Sequence, residues 1–380
     1  MSMELTHCKL GDVLQSIYSG GTPSTTVAEY WGGPYKWMSS GETGQRFVDR
    51  TIETITERGI RESSTKLAKR ESVVMACAGQ GKTRGQTSYL LDDMYVNQSV
   101  IVLNPYRDRV LPLYLFYNLS NRYEELRGGS DASSTRGSIT TASLKTLVFQ
   151  YPSIDKQEKM ISILYTYDNL IEVNNKRIKA LEQIAENLYK EWFVRLRFPG
   201  HDKVEYDNGI PKGWSFSRLD TVFDIKYGKD HKSIEDGTIP IFGSGGLMRY
   251  GNRTLFDGES VLIPRKGSLN NVMYYNGSFW TVDTMFYTIT LKHHFAKYAY
   301  YTLSNIDMES YNSGAALPSM TTDILYHMKI LVPDDETLAV FDRFVTDIYR
   351  QKNAIIECNE NLVKQRDLLL PRLMSGKMEV

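Results

Sequence analysis

Three stretches of this sequence carry residue types that chemistry uses. ACAGQGKT at 76–83 fits a relaxed phosphate-loop pattern, with Ala76 in place of the leading glycine. Such a loop holds phosphates with the N–H groups of a helix that starts at its Lys-Thr. Here Lys82-Thr83 runs into Arg84-Gly85-Gln86-Thr87-Ser88, which is poor helix material, so nucleotide binding is not expected. IVLNPY at 101–106 has the Asn-Pro-aromatic order of a methyl-transfer motif but lacks its second proline. No glycine-rich cofactor turn accompanies it, and Asn104-Pro105 reads as the end of a strand. His293 and His294 are adjacent, so on a strand their rings face opposite sides and share no metal. Cys8, Cys77 and Cys358 are scattered and odd in number, which fits a reducing cytoplasm rather than a disulfide framework or a zinc site. The expectation is a non-catalytic chain with no metal and no cofactor of its own.

The bulk properties allow a binding protein. Lys+Arg and Asp+Glu both number 45 in 380 residues, so any nucleic-acid contact must rest on local positive patches or on a partner's charge. With 25 tyrosines there is much side-chain area that ends in a polar tip. The N-terminus has no signal-peptide pattern, and no run reaches 18 apolar residues, so no membrane partner is expected.

The elements that would hold a binding site come twice. YLFYNLSN at 114–121 returns 184 residues later as YAYYTLSN at 298–305, and SITTASLKTLVFQYP at 138–152 returns as SMTTDILYHMKILVP at 319–333. ESVVMACAG at 71–79 returns as ESVLIPRKG at 259–267, and LGDVLQSIYSG at 10–20 more weakly as LDTVFDIKYGK at 219–229. The order is kept and only the spacing drifts, as expected of a duplicated framework with variable loops.

Each half ends in a long helical pattern. Steps of four and three from Met160 pass through Leu164, Tyr167, Ile171, Asn174, Ile178, Leu181, Ala185, Leu188 and Trp192. The same steps from Phe341 pass through Val345, Ile348, Lys352, Ile355, Asn359, Leu362, Arg366, Leu369 and Leu373. These are heptad seams, and neither Pro nor Gly interrupts 156–194 or 336–370, while Pro371 follows. Either each helix packs on its own domain or the two pair about a pseudo-two-fold axis. The narrow seams and charged flanks favour an antiparallel coiled coil whose register Asn174 and Asn359 help to set. Upstream of each helix, short β-branched and aromatic runs alternate with Gly/Ser/Asn-rich loops. The expected fold class is α+β: two repeated β-rich domains, each followed by a long helix. The expected divisions are 1–152, 153–198, 199–333 and 334–380, with a break at FPGHDKVEYDNGIPKGW (198–214).

This layout resembles the specificity subunits of Type I restriction-modification enzymes. LYKEWFVRLRFPG (188–200) looks like the end of that family's central conserved helix, GIPKGW (209–214) like the entry to its second target-recognition domain, and LVKQRDLLLPRLMSGKMEV (362–380) like its distal helix and tail. The resemblance implies a DNA-reading chain whose two domains each take one half of a bipartite site on double-stranded DNA. It implies docking of methyltransferase (modification) subunits and restriction/translocase subunits, with S-adenosylmethionine and ATP on those partners. Competing readings are a nucleotide-using or methyl-transferring enzyme and a coiled-coil adaptor that binds only protein.

Reading base edges needs Arg or Lys for guanine and Asn or Gln for adenine. The loops after the repeated ESVV and ESVL strands supply Gln80, Lys82, Arg84 and Gln86, then Arg265, Lys266, Ser268, Asn270 and Asn271. Gly79, Gly81 and Gly267 would allow close backbone approach. A second loop pair before SITT and SMTT offers Ser133, Ser134, Thr135 and Arg136, then Asn312 and Ser313. The early loop with Gly21, Thr22, Pro23 and Ser24, near Trp37 and Ser39, is a weaker candidate.

Overall fold

The computed structural model describes residues 4–79, 81–131, 137–312 and 318–378. The chain divides into two compact units, residues 1–173 with 358–380 and residues 174–357. The boundaries cut each long helix in mid-length, so each unit holds part of both helices.

In the first unit a five-stranded sheet has the spatial order Leu14–Ser19, Val100–Pro105, Val73–Ala76, Thr87–Leu90, Phe47–Val48. In the second unit a six-stranded sheet begins Phe223–Tyr227, Met285–Thr290, Phe256–Pro264, Met273–Thr281 and ends with Ile239–Gly243 and Gly246–Gly251. The first four strands of the two sheets occupy corresponding places, and the repeated sequence blocks fall on matching strands. The ESVV strand Val73–Ala76 is central and buried at all four residues, which is why its sequence is continuously apolar rather than alternating. A two-stranded ladder also recurs, Thr6–Lys9 with Val148–Tyr151 and Ser215–Arg218 with Lys329–Val332, both antiparallel.

The repeated YLFYNLSN and YAYYTLSN blocks are helical, spanning Pro112–Asn121 and Ala296–Ser304. Pro112 sits in the first turn, where its missing N–H needs no partner. The repeated TT pairs start the short helices Thr141–Thr146 and Thr322–His327. Thr140 accepts from the Ser143 N–H and Thr321 from the Ile324 N–H, the same N-cap in both units.

The long helices are Ile154–Tyr189, which passes into a π turn at Lys190–Val194, and Asp335–Met374. The second continues through Pro371 to Met374, past the last seam position Leu373. Leu370, Leu373 and Met374 are buried in the core of the first unit, with Met160 and Leu164 of the first long helix. That burial holds the last turn despite the backbone hydrogen bond proline removes. In the second unit Phe341 and Val345 pack in one cluster with Ala185, Tyr189, Trp192 and Phe193.

Candidate nucleic-acid interface

The two sets of loops singled out in each unit are tied together by the same hydrogen bond. In the first unit the Ile139 N–H donates to the Cys77 carbonyl at 2.9 Å, and in the second the Met320 N–H donates to the Arg265 carbonyl at 2.8 Å. Cys77 and Arg265 occupy one position of the ESVV/ESVL repeat, and Ile139 and Met320 one position of SITT/SMTT. The framework therefore ties the flanks of the two loops together in the same way in each unit.

In the first unit the chain turns after Ala78 and enters the strand Thr87–Leu90 directly. The helix that a phosphate loop requires does not follow Lys82-Thr83. Lys82 is exposed, its carbonyl accepts from the Tyr123 hydroxyl at 2.8 Å, and Tyr123 in turn accepts from Arg127 at 2.9 Å. Gln86 is half-buried. Arg84 differs from expectation. It is 8% exposed and donates to the Gly137 carbonyl at 2.7 Å. A guanidinium committed inside the loop pair fastens it rather than reaching a base. Gly137 has φ +46°, and a Cβ there would lie 2.1 Å from Arg84 Nη1, so this clasp requires glycine. Gln80, Ser133, Ser134, Thr135 and Arg136 lie outside the described residues, as does Ser313.

In the second unit Arg265 donates to the Asp283 carbonyl at 3.2 Å and lies 5.3 Å over the Tyr227 ring. Lys266 forms a β-bridge with Ser319. Ser268 is exposed. Asn270 and Asn271 are loop fasteners. Asn270 accepts from the Met308 N–H at 2.7 Å and donates to Asp307, while Asn271 donates to the Ser244 carbonyl at 2.8 Å. Asn312 likewise accepts from the Ser319 N–H at 2.8 Å. In the early loop Trp37 is buried, edge-on to Trp31 at 5.0 Å, and Thr22 bonds Gln98. Ser39 precedes the short turn Ser40–Gly44, and its N–H donates to Glu42 at 2.8 Å.

Along the first long helix, Ile171, Asn174, Ile178 and Leu181 are the half-buried positions of an otherwise exposed stretch, 169–184. Along the second, Lys352, Ile355 and Asn359 are the covered positions of 350–361. Leu164 is buried, and Tyr167, Leu188, Ile348, Leu362 and Leu369 are half-buried. Sequence reasoning missed Asp168, one residue off the seam. Its carboxylate is buried and accepts from Arg366 at 2.6 Å, Arg46 at 3.1 Å and Tyr117 at 2.8 Å. Burial, with Asp168 beside it, pushes the Tyr117 hydroxyl far above the usual phenol range. The signal was present in Arg366, a charge at a seam position that needs a buried counter-charge. In the second unit Lys352 pairs with Glu182 at 3.3 Å.

Duplicated β-rich units with paired polar loops, separated in sequence by long helices, define a recognition scaffold. The sequence profile described as "Type I restriction modification DNA specificity domain" matches residues 4–183 and 211–364, and the chain belongs to that family. It is similar to the Type I restriction enzyme MjaIX specificity subunit of Methanocaldococcus jannaschii, with 24% identity across 96% of this chain and 91% of the relative. It is also similar to the EcoR124I/EcoR124II specificity subunit of Escherichia coli, with 28% identity over 48% of this chain and 45% of that one. In fold it is similar to the crystal structure of the Type-I restriction-modification system S subunit from M. genitalium. That match has a TM-score of 0.62 at 17% identity and covers 98% of this chain and 96% of the other.

Proposed function

We propose that this chain is the non-catalytic, sequence-reading subunit of a Type I restriction-modification complex. Each unit reads one half of a bipartite site on double-stranded DNA. The observation that carries the reading is the recurrence of one loop-to-loop hydrogen bond, Ile139 to Cys77 and Met320 to Arg265, at matching places in a duplicated framework. Lys82, Gln86, Lys266 and Ser268 are the side chains offered to DNA. Arg84, Asn270 and Asn271 hold the loops that present them.

The two long helices form the ruler between the readers, as an antiparallel coiled coil. Supporting this, Asp168 meets Arg366 in one unit and Glu182 meets Lys352 in the other. The contacts advance fourteen residues along one helix and retreat fourteen along the other, two heptads in opposite directions. Helices of 36 and 40 residues are about 54 and 60 Å long at 1.5 Å per residue. That exceeds the ~34 Å of a B-DNA turn. Methyltransferase and restriction subunits dock on this scaffold and bring the catalytic centres.

The test is to assemble the chain with its methyltransferase subunits and map methylated sites by sequencing. A split motif is expected, and exchange of residues 1–150 for those of another family member should change one half of it only. Methylation without sequence preference, or a change in both halves, would defeat the reading.

A further inference from the structure

The duplication supplies a template for the large cavity of the second unit. In the first unit the strand Phe47–Val48 adds in parallel to the outer edge of Thr87–Leu90. The N–H groups of Tyr89 and Leu91 donate to the carbonyls of Arg46 and Val48, both at 2.8 Å. This strand carries Phe47 among Tyr89, Phe116 and Tyr165, with ring centroids 6.0, 5.3 and 5.8 Å away.

Each of those three has a counterpart in the second unit. Tyr89 pairs with Val73 as Tyr274 pairs with Val261, and the two valines match in the ESVV/ESVL repeat. Phe116 aligns with Tyr300 in the shared helix block, and Tyr165 with Thr346 on the long helices. Tyr274, Tyr300 and Thr346 all line one cavity of about 550 Å³. The next strand of that sheet, Ile239–Gly243, meets Met273–Thr281 only at Trp280 and Thr281. Among the described residues, Tyr274–Asn276 therefore has a ladder partner on one side alone, the strand Phe256–Pro264. The place filled by Phe47 and its strand in one unit is open in the other.

We propose that this cavity and the strand edge beside it bind an extended segment of a second polypeptide. The segment adds in parallel along Tyr274–Asn276, as Arg46–Val48 does along Tyr89–Leu91, and seats an aromatic side chain between Tyr274, Tyr300 and Thr346. An exposed strand edge gives main-chain affinity and the side-chain pocket gives selectivity. Charge sets the neighbour of the aromatic residue. In the first unit Arg46, just before Phe47, is held by Asp168 at 3.1 Å. The counterpart of Asp168 is Tyr349, so no carboxylate stands at that place, and the lining cations Lys297, Arg350 and Lys352 are paired with Glu259 and Asp342, with Asp347 and with Glu182. A basic residue before the aromatic, as in the internal strand, would meet no counterpart of Asp168 there, so the incoming segment is not basic at that position.

The probe is a labelled synthetic peptide of residues 43–50 carrying Arg46→Glu, titrated onto the full chain and followed by fluorescence anisotropy. Saturable binding is expected, weakened at least roughly tenfold by Phe47→Ala in the peptide or by Thr346→Trp in the protein, which fills the cavity. The peptide that keeps Arg46 should bind more weakly than the one carrying Arg46→Glu. The Phe47→Ala arm leaves the protein untouched, so misfolding cannot mimic its result. Absence of saturable binding by the Arg46→Glu peptide overturns the proposal. So does equal binding by the Phe47→Ala peptide, or to a folded Thr346→Trp protein.

Discussion

Asp168 and Arg366, 198 residues apart in sequence, meet at 2.6 Å with their side chains 3% and 9% exposed. The carboxylate also holds Arg46 and the Tyr117 hydroxyl, so one acidic residue ties both long helices to the sheet and helix framework of the first unit. The order of mutational damage follows from the count of charges stranded. Asp168→Ala leaves the guanidiniums of Arg46 and Arg366 facing each other, with Arg366 then paired only to the half-exposed Asp367, and leaves a buried tyrosine hydroxyl without its acceptor. Arg366→Ala leaves Asp168 still compensated by Arg46. Losing one partner of a buried pair costs about 3–5 kcal/mol, so Asp168→Ala should lie in that range and Arg366→Ala below it. Chemical denaturation of both variants checks the order. Equal losses, or a larger loss for Arg366→Ala, would count against this account of the network.

Buried tyrosines make an alkaline limit to stability. Burial pushes the phenols of Tyr89 and Tyr114 up to about 12, from an ordinary value of 10.0. Glu71 adds to the shift at Tyr89, and Asn118 opposes it at Tyr114. A pKa raised by folding means the folded chain holds its proton more tightly than the unfolded chain. The associated stability is complete below pH ~10 and is lost as pH rises from there through ~12. A spectrophotometric titration should show exposed phenols ionising near pH ~10 and a later group that ionises together with unfolding. A single titration near pH ~10 with the fold intact would show these phenols to be solvated.

Much of this architecture was legible because duplication and heptad spacing are periodic, and each period maps to one face. The four repeated blocks mark the framework, and the seam from Leu164 to Leu188 follows the covered positions of the first helix. What was not legible depended on contacts between distant residues. Arg84, Asn270 and Asn271 have the chemistry to read bases, yet the fold commits each to loop backbone or a neighbouring carboxylate, which composition does not reveal. Asp168 lies one position off the seam and gains its role from Arg46, Tyr117 and Arg366, all remote in sequence.

Lys82 and Arg84 are two residues apart and should fail differently. Lys82 is exposed in its loop, so Lys82→Ala should weaken DNA binding by the assembled methyltransferase about equally on all sequences. If it meets one phosphate, the slope of log affinity against log salt becomes shallower by about 0.9. Arg84→Ala instead strands the Gly137 carbonyl and should lower thermal stability, by about 1–3 kcal/mol. Binding measured across a salt series, beside the melting curve of each variant, separates the two. A stability loss in Lys82→Ala with an unchanged salt slope would reverse the assignment.

The proposed helical ruler makes a geometric prediction. Seven residues inserted at matching points in both long helices preserve the heptad phase, so the seams should re-form one repeat longer. Each insertion adds roughly 10 Å at 1.5 Å per residue, about three base pairs of B-DNA. The recognised half-sites should stay the same and the unread gap between them should widen by about three base pairs, read out by sequencing the methylated sites. Insertion into one helix alone breaks the pairing of Asp168 with Arg366 or of Glu182 with Lys352, so that variant should lose stability and bind both spacings poorly. Half-sites that change, or a gap that does not respond to the double insertion, would show that something other than the helix pair sets the distance.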